Sequence, residues 1–232
     1  MQIAPLHTAE EMQSFSNLAH TVEAVLIGAV ALTAFLEAAG YLQHGRRRYF
    51  WPALVLLSGV FLMLYMLIPY HGLEQLPSQW SFIFGDPQQQ QHVLVAFAAI
   101  AAGVAELYSR NARFVAARTS LVLPVALVSV GLMFALHKQH GTDEAVRQAQ
   151  LIHRYLGASL LASGVVRAVE VSTSQRRRWL GYAWSVTLLG AAILLGAYRE
   201  PKGVRDGPPP SRRYHIRGTR YTLRYQVIFY PV

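Results

Sequence analysis

Apolar residues gather into six runs, at about residues 17 to 42, 50 to 70, 91 to 109, 119 to 137, 151 to 171 and 179 to 198. Each is roughly 20 residues, the length a helix needs to cross about 30 Å of hydrocarbon at about 1.5 Å per residue. The pattern predicts an all-α fold: a polytopic membrane helix bundle of about six transmembrane helices with an extramembrane C-terminal tail. The third and fifth runs carry charge near one end, Glu106 in the third and Arg167 with Glu170 in the fifth. A helix end tolerates such groups when long side chains reach the interface. Arg167 and Glu170 stand three apart and can pair, and with Glu37 and Glu106 they read as interfacial and structural.

Outside the runs the pattern changes. Residues 1–16 form an N-terminal surface segment in which Thr8 and Glu11 have the spacing of a capping box, so a short surface helix is expected before the first span. This start lacks the basic n-region of a cleaved signal peptide. Residues 17–198 hold the spans, and residues 199–232 form a basic tail entered through the linker "GPPP" at 207–210. Within the tail, "RYTLRYQVIFYPV" alternates with the period of a strand, placing Tyr221, Leu223, Tyr225, Val227 and Phe229 on one side. A strand needs a pairing partner, which makes a protein partner for the tail one expectation and an unstructured extension the other.

Charge orients the bundle. Arg46, Arg47, Arg48, Arg110, Arg113, Arg118, Arg176, Arg177 and Arg178 occupy alternate loops, whereas the other two loops carry Lys138 and Arg147. The positive-inside rule places the arginine-rich end in the cytoplasm of a cell whose plasma (inner) membrane holds the protein, with both termini outside. The basic tail runs against this assignment. With 53% hydrophobic and 14% charged residues, the chain of 232 has too little charge to solvate a globular surface, so the lipid bilayer is its expected surrounding. The net charge of +9 is carried largely by these flanking arginines, which argues for headgroups and against nucleic acid as the partner. Cysteine is absent, which removes disulfides, thiolate ligands and thiol nucleophiles.

Histidine is distributed unevenly. In the expected topology His20, His71, His92, His137, His140 and His153 fall near the outer ends of their helices, whereas His44 lies with the cytoplasmic arginines. His137 and His140 are three apart, as are His20 and Glu23, spacings that put two donors on one helical face. A faint internal repeat also appears. "YHG" at 70–72 followed by "QQHVLVAFAAIAAG" at 90–103 echoes "QHG" at 139–141 followed by "LIHRYLGASLLASG" at 151–164, with His92 to Gly103 and His153 to Gly164 equally spaced. The small residues after each histidine allow close helix packing, which would draw the imidazoles together.

These stretches carry a resemblance. "LMFALHKQHGTDEAVRQAQLIHRYLGASLL", "QQQHVLVAFAAIAAGVAEL" and "LAHTVEAVLIGAVAL" are similar to the histidine-led helices of the eukaryotic transmembrane protein 45 family, over roughly residues 17 to 171. The resemblance implies a multispan architecture and a histidine constellation, and picks out His20, His92, His137 or His140, and His153. That family usually has seven spans where six are read here, and Lys138 with Gln139 separates the paired histidines.

Imidazoles with a carboxylate and no thiolate suit a transition metal at the outer face, copper first and zinc or nickel next. The expected metal ligands are His20, Glu23, His71, His92, His137, His140 and His153, for metal handling or a metal-dependent redox role. Met63, Met66 and Met133 lie in the outer halves of their helices and read chiefly as packing. An alternative is a b-type haem subunit for electron transfer, clamped by His92 and His153. Another is an accessory subunit of a larger membrane complex. The chain has no Ser-His-Asp order, phosphate loop or HExxH motif to support an enzyme.

Overall fold

The computed structural model describes residues 9–68, 76–110, 119–136, 143–173, 177–201, 213–216 and 219–222. Within them run seven α-helices: α1 (Ala9–Ala38), α2 (Phe50–Leu67), α3 (Leu76–Gly85), α4 (Pro87–Ser109), α5 (Val122–Ala135), α6 (Asp143–Ser172) and α7 (Arg178–Ala197). Local chemistry sets several ends. Gly40, at φ 100°, closes α1 by donating to the Glu37 carbonyl while Tyr41 donates to that of Leu36, a left-handed cap that favours glycine. Asp86 followed by Pro87 starts α4, since proline suits the first helical position, where its missing N–H would have had no helical partner.

Four helical stretches are long and apolar enough to cross a membrane, namely Gln13–Ala38, Gly45–Leu67, Gln89–Ser109 and Arg178–Ala197, and Thr119–Ala135 is a shorter apolar helix. Six helices close into a ring, for α1 packs on α2, α2 on α4, α4 on α5, α5 on α6, α6 on α7 and α7 on α1. α3 packs against α2 and α4. The most extensive contacts are α5 with α6, α2 with α4 and α1 with α7, so the ring is built of three antiparallel pairs.

Two of these pairs share one register. A Cβ on Gly59 would meet Ile100 N at 2.6 Å and Ala96 O at 2.9 Å, eight and four residues beyond His92. A Cβ on Gly131 would meet Gly157 O and Leu161 N, both at 2.8 Å, four and eight residues beyond His153. Gly103 sits in the same way against Leu56, and Gly164 against Val128, each of those partners four residues beyond a buried proline, Pro52 or Pro124. The third pair follows the pattern with a looser fit. Gly28, eight residues beyond His20, faces Ala192, which stands eight beyond Trp184 as Gly59 does beyond Trp51 and Gly131 beyond Leu123. The molecule is therefore a pseudo-threefold ring whose third unit joins the last helix to the first.

At the arginine end a layer of tryptophan and charge fills the axis. Trp51 and Trp184 meet edge to face with centroids 5.6 Å apart. Trp51 Nε1 donates to Glu37 Oε2 at 2.9 Å, and Arg110 grips the same carboxylate with both terminal nitrogens, at 2.6 and 3.0 Å. Arg167 donates to Glu170 at 2.6 Å and to Glu106 at 3.0 Å while its guanidinium lies over both indoles.

Several expectations need correction. The surface helix foreseen before the first span is the start of α1, which runs unbroken because residues 9–27 hold neither glycine nor proline. Thr8 lies outside the described residues. α3 was not foreseen. The tail finds its strand partner within the chain: β1 (Arg213–Ile216) pairs antiparallel with β2 (Thr219–Thr222), Tyr214 opposite Tyr221. Leu223, Tyr225, Val227 and Phe229 lie outside the described residues.

Candidate functional site

The ring encloses a chamber of about 380 Å³. Its walls repeat three times. Going down from the rim, His20, His92 and His153 line it, then Glu23, Val95 and Leu156, then Ile27, Ala99 and Leu160, each set at matching positions on α1, α4 and α6. The other three helices contribute Leu62, Phe134 and Leu195, and below them Val55, Leu127 and Leu188. Leu123 and Trp184 close the floor. Most of this wall is hydrocarbon or aromatic ring, and polarity concentrates at the histidine end.

Tyr198 plugs part of the rim. It is buried, with its ring edge-on to His20 at 4.9 Å and to His153 at 5.4 Å between centroids. The segment carrying it is tied to α1: Gln13 Nε2 donates to the Glu200 carbonyl at 2.5 Å, and the Glu200 N–H donates to Asn17 Oδ1 at 2.8 Å. His153 Nδ1 donates to the Ala149 carbonyl at 2.7 Å, so in the neutral ring Nε2 bears the lone pair. Phe134 flanks the same imidazole at 5.6 Å. On the surface above, the Glu144 carboxyl is held below its usual range by hydrogen bonds from Gln148 and Arg147.

Glu23 departs from the pattern of its layer. It is 7% exposed, its symmetry equivalents are Val95 and Leu156, and Ser58 Oγ donates to its Oε2 at 2.5 Å. Its Oε1 is buried and has no hydrogen-bond partner among the described residues. Ser58 breaks the pattern in turn, since Val130 and Ala191 occupy the matching positions on α5 and α7.

Of the residues selected from sequence, His20, Glu23, His92 and His153 come together on this wall. Among the described residues, however, no three histidine or acidic groups converge closely enough to hold a metal ion. The Tyr198 ring contacts both His20 and His153. His71, His137 and His140 lie outside the described residues. Met66 joins the lining. The sequence reading missed Tyr198, Ser58 and Glu200. Of these, only Ser58 had a visible cue, a single serine inside an apolar run. The chain matches no family model, no curated protein and no solved structure.

Proposed function

We propose that the chain spans the bilayer six times and binds a small molecule with an apolar body in its central chamber, reached from the outer face past His20, His92 and His153. The observation that carries this reading is the threefold apolar wall beneath a rim of imidazoles, in a volume typical of ligand pockets. Outward side chains support the six-span part. Exposed apolar residues occur on all six ring helices, including Val125 and Leu132 on α5 and Leu151, Val165 and Val169 on α6. Of the charges on α6, Asp143, Glu144, Arg147 and Arg154 lie exposed in its first half, at the histidine end, whereas Arg167 and Glu170 are turned into the bundle at 12% and 11% exposure. In this reading the arginine-rich end faces the cytoplasm and the protein resides in the plasma membrane. The likeness to the transmembrane protein 45 family belongs to this proposal and rests on the segments quoted for it.

The test is to fill the chamber. Phenylbutanol is expected to raise the melting temperature of the protein in lipid nanodiscs, and Ala99→Trp, which places an indole in the chamber, is expected to abolish that shift. A shift that persists in Ala99→Trp, or no shift with phenylbutanol or any comparable apolar compound, would sink the reading.

A second reading is a transition-metal site, copper before zinc. It is favoured by His153, whose Nδ1–H bond to a carbonyl is the arrangement that aims Nε2 at a metal. Tyr198 would have to withdraw for His20 and His153 to share an ion. Elemental analysis of the intact protein is expected to find about one metal per chain, lost in His92→Ala and in His153→Ala. A Soret band in place of copper or zinc would favour haem b between those two residues. Neither metal nor haem, with copurifying subunits, would favour an accessory role through the tail.

A further inference from the structure

We infer that Glu23 recognises a protonated amine carried on an apolar body, an inference that rests on the chamber reading above and names its ligand class. Three observations lead there. Glu23 is 7% exposed on the chamber wall, and its Oε1 has no hydrogen-bond partner among the described residues. A carboxylate in that condition carries a large desolvation cost unless a cation or a proton joins it. Secondly, the acid is an exception within a repeating wall, where threefold-equivalent positions hold Val95 and Leu156. The scaffold packs with an apolar residue there, so packing does not call for an acid. Thirdly, Ser58, itself the polar member of its own triplet, donates to Oε2 and fixes the carboxylate with Oε1 still unmatched.

Charge and shape then select the ligand. An anion would meet the carboxylate. A bare metal ion would find Val95 and Leu156 where further ligands are required, since divalent ions take four or more donors. An ammonium group needs only acceptor oxygens, and its N–H would donate to Glu23 Oε1. Below Glu23 the wall continues as Ile27, Leu127, Leu160 and Leu188 toward the indole of Trp184. From Glu23 to Val30 the chamber descends about 10 Å along α1, room for a short hydrocarbon or a phenylalkyl body.

The experiment compares three ligands of one shape, phenylbutylamine, phenylbutanol and phenylbutyrate, by titration calorimetry on the full chain in nanodiscs, with empty nanodiscs as the blank. The amine is expected to bind about tenfold or more tighter than the alcohol, the value of a charge-assisted hydrogen bond. Glu23→Gln keeps the shape and is expected to erase that preference; Glu23→Asp is expected to retain part of it. Equal affinity for amine and alcohol in the unmodified protein overturns the inference and assigns Glu23 a proton. A preference that survives Glu23→Gln, or tightest binding by phenylbutyrate, overturns it too. In all three cases the chamber reading stands. Failure of all three compounds to bind overturns both.

Discussion

Arg167 sits with its side chain 12% exposed between Glu106 at 2% and Glu170 at 11%, under two indole faces. Removing one member of such a group leaves its partners charged and without compensation. Arg167→Ala is therefore expected to lower stability by about 3–5 kcal/mol, read as a fall in melting temperature in detergent, with Glu106→Gln alone costing less because Glu170 still holds the guanidinium. Only half of this cluster was legible in the sequence. The pairing of Arg167 with Glu170 follows from their spacing of three on one helix, but Glu106 and the two tryptophans arrive from other helices, and no local spacing encodes that. Glu23 was equally half-read: its spacing from His20 suggested a shared ion, whereas its bonded partner is Ser58 on α2.

At the scale of elements, close packing follows the equal spacing of His92 to Gly103 and of His153 to Gly164. That spacing was visible because both hairpins are contiguous in the chain. The third unit escaped notice for two reasons: it is divided between α7 and α1, and Ala31 stands where the other two carry the second glycine. A Cβ at Gly103 would come within 2.5 Å of Leu56 N, a backbone atom that cannot swing aside. Gly103→Ala is expected to destabilise by about 1–3 kcal/mol through overpacking. Gly85→Ala, at the end of α3 with nothing within 4 Å of the new methyl group, is expected to stay within about 0.5 kcal/mol of the unmodified protein. Chemical denaturation of the two variants side by side checks the contrast. If they lose stability equally, contact between α2 and α4 does not depend on the glycine.

For the molecule as a whole, the six helices of the ring were readable from run length, but α3 was not, and neither was closure of the ring, because it depends on α7 returning to α1 and on Tyr198 and Glu200 binding beside His20 and Asn17. If only the four long apolar stretches cross, the start of α6 lies on the same side as the arginines between α1 and α2; if all six ring helices cross, the two are on opposite sides. The natural chain has no cysteine, so single replacements report without background. Arg47 and Glu144 are both exposed. With a membrane-impermeant maleimide on intact cells, Glu144→Cys is expected to label at once and Arg47→Cys only after permeabilisation. Labelling of both from one side would reduce the crossings to four and leave α5 and α6 without lipid against their outward apolar faces. The reverse pattern would keep six crossings and turn the histidine rim, with the chamber it guards, toward the cytoplasm.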